Sequence, residues 1–153
     1  MARRGSSDAV LVASRALVGV AARSLAGTED TVTLVQYRAL VLLAARGEMT
    51  VGGLAGALDV HQSTATRLCD RLVARGLVDR VHSPRNRRSV VLSLTRDGKA
   101  LIRSVTVRRR TELDRIMDRL TAKQRAAVND AFMLFADAAG EAPDDAWKLG
   151  WTA

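Results

Sequence analysis

Apolar residues recur along most of this chain with a helical period, and one short stretch breaks that rhythm. From Asp8 to Leu25, Val10, Ala13, Leu17, Val20 and Ala21 keep the spacing of one helix face. Leu11, Val12 and Val18 widen the stripe until it nearly encircles the helix, so this first helix is expected to be covered on more than one side. Residues 1–7, basic and small, are expected to form a loose arm. Beyond the loop Gly27-Thr28-Glu29-Asp30, the run Thr33-Leu34-Val35-Gln36 has capping-box spacing, in which the Thr oxygen and the Gln side chain satisfy free amides at a helix start. The second helix reaches Arg46, with Leu34, Tyr37, Leu40, Val41, Leu43 and Ala44 feeding the core, and Gly47 ends it. Thr50 caps a short third helix that rests on Val51, Leu54, Ala55 and Leu58. That helix also carries Gly52, Gly53 and Gly56, each costing about 1 kcal/mol relative to Ala in a helix interior.

The segment Asp59-Val60-His61-Gln62-Ser63 turns into a fourth helix, about Gln62 to Arg75. Ala65, Leu68 and Leu72 fall on one side of it, with Thr64 and Arg75 at the edges. Ser63, Thr66 and Asp70 fall opposite, flanked by Gln62 and Arg67. Gly76 stops the helix, because glycine enters the left-handed conformation of a C-terminal cap without strain. Here the period changes. Leu77–Val81 and Ser89–Thr95 are rich in β-branched residues and partly alternate, as paired strands do. Between them His82-Ser83-Pro84-Arg85-Asn86-Arg87-Arg88 favours a turn and crowds three arginines at its tip.

Helical spacing then returns. Thr95 caps a long fifth helix, about Arg96 to Leu120, whose stripe is Leu101, Val105, Leu113, Ile116, Met117 and Leu120. Arg108-Arg109-Arg110 interrupts it and is expected to be a solvated face or stems lying along apolar surface with charged heads in water, in preference to extra phosphate contacts, since three consecutive residues point in different directions on a helix. Thr121 to Gln124 is a second capping box. It opens a sixth helix to Ala139, with Val128, Ala131, Phe132, Leu134, Phe135 and Ala138 as its apolar set. Gly140 caps it and Pro143 prevents continuation. The tail to Ala153, with Trp147 and Trp151, has no assignment.

The fold class expected is therefore mainly α with a small β-hairpin wing: a winged helix-turn-helix plus a helical dimerisation bundle. Residues 1–32 supply the arm and a dimerisation helix, 33–98 the winged helix-turn-helix, and 99–153 the C-terminal dimerisation helices and tail, all within one compact subunit. Helices one, five and six are too apolar to be left bare. A bundle shared across a twofold axis, the commonest closed symmetry, covers them.

Charge sharpens this picture. The chain of 153 residues carries 24 basic against 16 acidic side chains, a net charge of +8. From His61 to Arg110 alone there are 12 Arg and one Lys against three Asp, a net charge of +10. The excess thus belongs to the winged helix and the helix after it, the electrostatic footprint of a polyanion binder. Only 3% of residues are aromatic, so the core is aliphatic. The single cysteine, Cys69, excludes a disulfide framework and a cysteine-based metal site, and fits a reducing cytoplasm. No apolar run approaches the roughly 18 residues of a membrane span. The stretch after Arg3-Arg4 meets Ser14-Arg15 too soon for a signal peptide. A cytoplasmic location is expected.

The exposed side of the fourth helix offers Ser, Thr and Gln hydroxyls and amides plus an Arg. Those groups suit base edges in a DNA major groove, where Arg grips guanine with two bonds. A helix of that kind followed by a basic hairpin docks with the helix in the major groove and the wing over the backbone or in the minor groove. The ordered set Thr66-Arg67, Asp70-Arg71-Leu72, Gly76-Leu77-Val78, Arg80, Asn86-Arg87-Arg88 and Leu94-Thr95-Arg96-Asp97-Gly98 resembles the multiple-antibiotic-resistance regulator (MarR) family, from about Leu34 to Gly98. Two departures stand out. The family's wing carries Asp-x-Arg, and here Asn86 replaces the Asp while Arg88 matches the Arg. The family also has a polar residue near position 53, where this chain has Gly53.

The resemblance implies a homodimeric, sequence-specific transcription factor, most often a repressor, bound to a near-palindromic operator in double-stranded DNA. Half-sites are then about 10 base pairs apart. The DNA-contacting set expected is Gln62, Ser63, Thr64, Thr66, Arg67 and Arg71 on the helix and Arg85, Arg87 and Arg88 on the wing. It also implies a small aromatic or anionic effector in a cleft between bundle and winged helix, and no cofactor or metal. Arg15, Arg23 and Arg38 are candidate anion partners, each more simply read as a surface or structural charge.

Three alternatives remain. An enzyme is disfavoured, because His61 and His82, the two histidines, both lie in the reading motif and no acid–base pair or phosphate loop is visible. A redox-responsive regulator would use Cys69. The peroxide-sensing branch of the family instead places its cysteine near the start of helix one, and Cys69 reads as a small packed hydrophobe. A non-specific architectural nucleic-acid-binding protein is the third, separable by comparing random with palindromic DNA.

Overall fold

The computed structural model describes residues 3–27, 32–83, 86 and 89–141. Its elements are α1 (Arg3–Leu25), α2 (Leu34–Arg46), α3 (Val51–Leu58), α4 (Gln62–Ala74), β1 (Val78–His82), β2 (Val90–Leu94), α5 (Arg96–Met117) and α6 (Ala122–Ala138). The architecture is mainly α with one two-stranded antiparallel hairpin. Among the described residues no helix is long and apolar enough to cross a membrane.

Local chemistry sets the helix starts. Thr33 accepts from the Gln36 amide at 3.3 Å while Gln36 Oε1 accepts from the Thr33 amide at 2.8 Å. Thr121 and Gln124 repeat that box at the start of α6. Thr50 and Thr95 each accept from the amide three residues on, at 3.0 Å. Each such cap contributes about 1 kcal/mol. Ends are equally local. Gly76 at φ 68° closes α4, its amide reaching the Val73 carbonyl and the Leu77 amide the Leu72 carbonyl, which is the paired closure of a Schellman motif. Asp59 closes α3 in the same way at φ 53°; its short polar side chain tolerates this region better than most.

The hairpin pairs Val78 with Leu94 through His82 with Val90. Met49, in the link between α2 and α3, adds a bridge to Leu92, with backbone bonds of 3.3 and 2.7 Å. This contact was not legible in the sequence. The core centres on α2, where Ala39 and Leu40 meet Leu54, Leu72, Leu92, Ile102 and Val105, all at most 1% exposed. The first turn of α5 passes so close to the strand entry that a Cβ on Gly98 would stand 2.1 Å from the Leu77 carbonyl oxygen. Only glycine fits there.

Four expectations are corrected. Residues 3–7, expected within a loose arm, belong to α1, since extending a long established helix costs far less than starting one. The fifth helix stops at Met117 rather than Leu120, and three-residue hydrogen bonds at Arg119 and Leu120 tighten the chain before the Thr121 cap. Ile102, absent from the expected stripe, is fully buried like Val105, while Leu101 is half-buried. Arg108 and Arg109 are not a solvated face. Arg109 lies 5.3 Å over the Tyr37 ring and donates to Ser24 Oγ, and Arg108 is drawn toward the Ala26 carbonyl. Three successive residues fan across about 200° of helix surface, so two of them land on the side facing α1 and α2.

The outer helices differ from the core. α6 buries none of its residues, and Met133, Leu134 and Phe135 are more than half exposed. On α1, Leu11, Val12 and Val18 are exposed as well.

Candidate nucleic-acid interface

The fourth helix sorts its residues as the spacing requires. Ala65, Leu68, Cys69 and Leu72 are buried. Gln62, Ser63, Thr64, Arg67, Asp70 and Arg71 are exposed. Thr66 is half-buried, and its hydroxyl donates to the Gln62 carbonyl at 2.8 Å. Its oxygen therefore keeps acceptor capacity only. His61 stands at the N-cap without a side-chain cap bond. The Thr64 amide closes on the His61 carbonyl at 2.9 Å, and this end of α4 presents Gln62, Ser63 and Thr64 where the helix dipole favours negative charge.

Asp70 is the one acid on this exposed face, and its carboxylate pairs with Arg80 of β1. The pair neutralises a charge that would repel phosphate and ties α4 to the hairpin. Nothing in the sequence marked it, because the partners lie ten residues apart in different elements. Arg67 and Arg71 line a hollow of about 350 Å³ with Thr64, Leu68 and the start of α2 at Thr33, Val35 and Gln36. Arg67 and Arg71 therefore border one hollow with Thr64.

The wing is anchored by backbone bonds from Ser83 to Ser89 at 2.8 Å, Asn86 to Ser83 at 3.2 Å and Ser89 to Asn86 at 2.8 Å. Asn86 is exposed. Arg85, Arg87 and Arg88 lie outside the described residues.

Other candidates take structural places. Cys69 is 1% exposed. Burial pushes its thiol above the ordinary range despite the nearby Arg80, so the reactive thiolate is disfavoured. Arg38 donates two bonds of 2.7 Å to Glu141, and Arg23 donates to Glu112 at 3.0 Å. Both arginines are thereby engaged by carboxylates of this chain; Arg15 is exposed. The Arg38 guanidinium holds the Glu141 carboxyl below the usual range. Among the described residues no group of three or more His, Cys, Asp or Glu is placed to hold a metal.

Known proteins share this arrangement. The sequence profile of the MarR family matches residues 32–90. The HTH-type transcriptional regulator YfiV of Bacillus subtilis (strain 168) is 31% identical over 106 residues, 69% of this chain and 66% of that protein, just under two-thirds of its length. The HTH-type transcriptional regulator ML2140 of Mycobacterium leprae (strain TN) is 31% identical over 75% of this chain and 80% of its own length. The crystal structure of RV1404 from Mycobacterium tuberculosis superposes with a TM-score of 0.86 at 36% identity, covering 94% of this chain and 98% of that one. With the profile running from α2 through the helix-turn-helix to the start of β2 and these relatives spanning more of the chain, the chain belongs to the MarR family of DNA-binding transcriptional regulators.

Proposed function

We propose that this protein is a homodimeric repressor that reads a near-palindromic operator and leaves it when a small-molecule effector binds. Residues 33–98 are the reading unit, and residues 1–32 and 99–153 supply the shared bundle. The observation that carries the reading is the row Gln62, Ser63, Thr64 and Arg67, exposed over the first turns of α4. Hydroxyls and an amide set register and hydrogen-bond to base edges, and Arg67 takes a guanine. Thr66 acts as an acceptor or packs its methyl, and Arg71 holds a phosphate. The wing arginines Arg85, Arg87 and Arg88 add minor-groove or phosphate contacts. Asn86, a neutral residue where the family has Asp, leaves the wing more positive.

Dimerisation is supported by the bare apolar faces. Val10, Ala13 and Leu17 of α1 and Ala131, Phe132 and Phe135 of α6 line an apolar hollow of about 280 Å³, and large exposed patches of this kind mark association sites. Repression is supported by likeness to the transcriptional repressor MdtR of Bacillus subtilis (strain 168), 31% identical over 93 residues. Effector release has a parallel in BpsR of Bordetella bronchiseptica, whose DNA binding is regulated by 6-hydroxynicotinic acid. That protein shares the fold at 23% identity. An effector acts by binding two conformations unequally.

Selection from a random DNA pool, followed by footprinting of the winners, tests the reading. The expected result is a twofold-symmetric site with half-sites about 10 base pairs apart. Recovery of unrelated sequences bound no better than random DNA would replace it with architectural binding.

A further inference from the structure

Asp70 puts a negative charge on the side of α4 that carries Ser63 and Thr66. It stands about 20° around the helix from Ser63 and about 40° from Thr66, roughly 10 Å beyond Ser63 along the axis. Any DNA that Ser63 touches therefore lies within about one Debye length of this carboxylate, ~10 Å at 0.1 M salt. That DNA brings a phosphate charge every ~1.7 Å of duplex. The answering charge comes from β1. Val78 and Arg80 share one face of that strand, and Val78 is buried in the core with Leu72 of α4. The packing that buries Val78 thus brings Arg80 to α4, where its Nη2 donates to Asp70 Oδ1. Arg80 is also close enough to act on the neighbouring Cys69 thiol.

The pair is poorly placed to serve stability. The Asp70 side chain is 53% exposed and the Arg80 side chain 40%, and ion pairs so open to water add little to folding. DNA changes the balance. Docking excludes water around Asp70 and sets phosphates beside it. A paired carboxylate meets them as half of a dipole, an unpaired one as a full negative charge. At a closed interface, leaving one charge unpartnered costs more than the pair is worth in water. The competing role for Arg80 is a phosphate contact of its own, made through guanidinium donors that Asp70 does not use.

We propose that Arg80 is a positioning residue for DNA binding that acts through Asp70: it holds that carboxylate in an ion pair, so that the reading side of α4 can approach phosphates. Arg80 then contributes to affinity for every sequence and to preference for none. Its contribution exists only while Asp70 is present, which sets it apart from a residue that touches DNA itself. The proposal rests on α4 being the helix that enters the groove. It depends on neither repression nor effector release.

The test uses full-length protein and measures binding to the selected operator and to random DNA at several salt concentrations. Wild type, Arg80→Met and the double variant Asp70→Asn/Arg80→Met are compared, with urea unfolding of each and Arg67→Ala as a control. Arg80→Met should bind both DNAs about tenfold or more weakly and unfold near the wild-type midpoint. The double variant should return to within about threefold of wild type on both, since the two changes share one interaction and do not add. Its salt slope should match wild type, because one net-neutral pair replaces another. A double variant as weak as Arg80→Met, with a slope flatter by close to one unit, overturns the proposal and makes Arg80 a phosphate contact. Full binding by Arg80→Met overturns it too. Should Arg80→Met not fold, the double variant against wild type decides by the same affinity and slope. Unfolding of both variants makes the pair a structural tie and overturns it as well. If α4 is not the reading helix, Arg67→Ala also binds the operator as wild type does; a weakened Arg67→Ala beside a fully binding Arg80→Met sinks this proposal alone.

Discussion

The winged helix and the outer helices treat their apolar residues in opposite ways. In the first, Leu40, Leu54, Leu72 and Leu92 are sealed by neighbours from α2, α3, α4 and the hairpin, closed on one side by Ile102 and Val105 of α5. In the second, Leu134 is 73% exposed and Phe135 52%, and α6 has no buried residue at all. Yet α2 and α6 both begin at threonine capping boxes, so their starts are alike and the difference lies in whether long-range partners exist within the one chain. The sealed core can keep its geometry while the bare faces of α1 and α6 stay available to a partner.

That contrast yields its largest effects in the interior. Leu40→Ala should cost about 2–5 kcal/mol in urea unfolding and leave the mass by light scattering unchanged. Phe135→Asp should do the reverse, shifting the mass from dimer toward monomer or aggregate with little loss of winged-helix stability. An intact dimer in Phe135→Asp, with Leu40→Ala dissolving it, would break the comparison. Gly98→Ala follows, at about 1–3 kcal/mol from overpacking, because the added methyl meets the Leu77 carbonyl and not a yielding side chain.

Within the reading unit the effects pass from stability to binding. Arg67→Ala should lose about 1–3 kcal/mol on the selected operator and relax one base position. Arg85→Ala and Arg87→Ala should weaken all sequences alike and flatten the salt dependence by close to one unit of slope each. Titrations of operator and random DNA at several salt concentrations distinguish the two patterns. Equal losses for Arg67→Ala on both DNAs would remove it from base reading.

The smallest effect concerns the tie between the two regions. Arg38 and Glu141 are each close to half exposed, so Glu141→Gln should cost less than about 1 kcal/mol. Its pH dependence is more telling than its size. The folded carboxyl sits below its unfolded value. The contribution is therefore present above about pH 4.3, the unfolded glutamate value, and is lost as pH falls through the lower folded one. Wild type and Glu141→Gln should converge in stability on acidification; a difference that persists there would exclude the ion pair as its source.

What the sequence disclosed follows from range. The boxes at Thr33 and Thr121, the caps at Thr50 and Thr95 and the stop at Gly76 each involve groups within five residues, and all are in place. The buried and exposed sides of α4 were legible for the same reason, since one helical period sorts them. The bridge from Met49 to Leu92, the Asp70–Arg80 pair and the burial of Arg108 and Arg109 were not. Their partners come from elsewhere in the chain, up to 85 residues away for Arg109 and Ser24, and no periodicity encodes which arginine turns inward. Ile102 was passed over because Leu101 beside it is equally apolar, and only the packing of α5 on the core decides between them.

Thr95 does more than start a helix. Its hydroxyl oxygen accepts from Gly98 and also donates to the Gly76 carbonyl at 2.6 Å, while its amide reaches the Leu77 carbonyl at 3.2 Å. The exit of α4 and the entry of α5 are thus pinned at a single point. With 22 residues, α5 is a stiff rod about 33 Å long. A tilt of about 5° around such a pin carries its far end through roughly 3 Å over that length while the pinned end barely shifts. Any displacement imposed on the far end of α5 would therefore reach the exit of α4 strongly reduced.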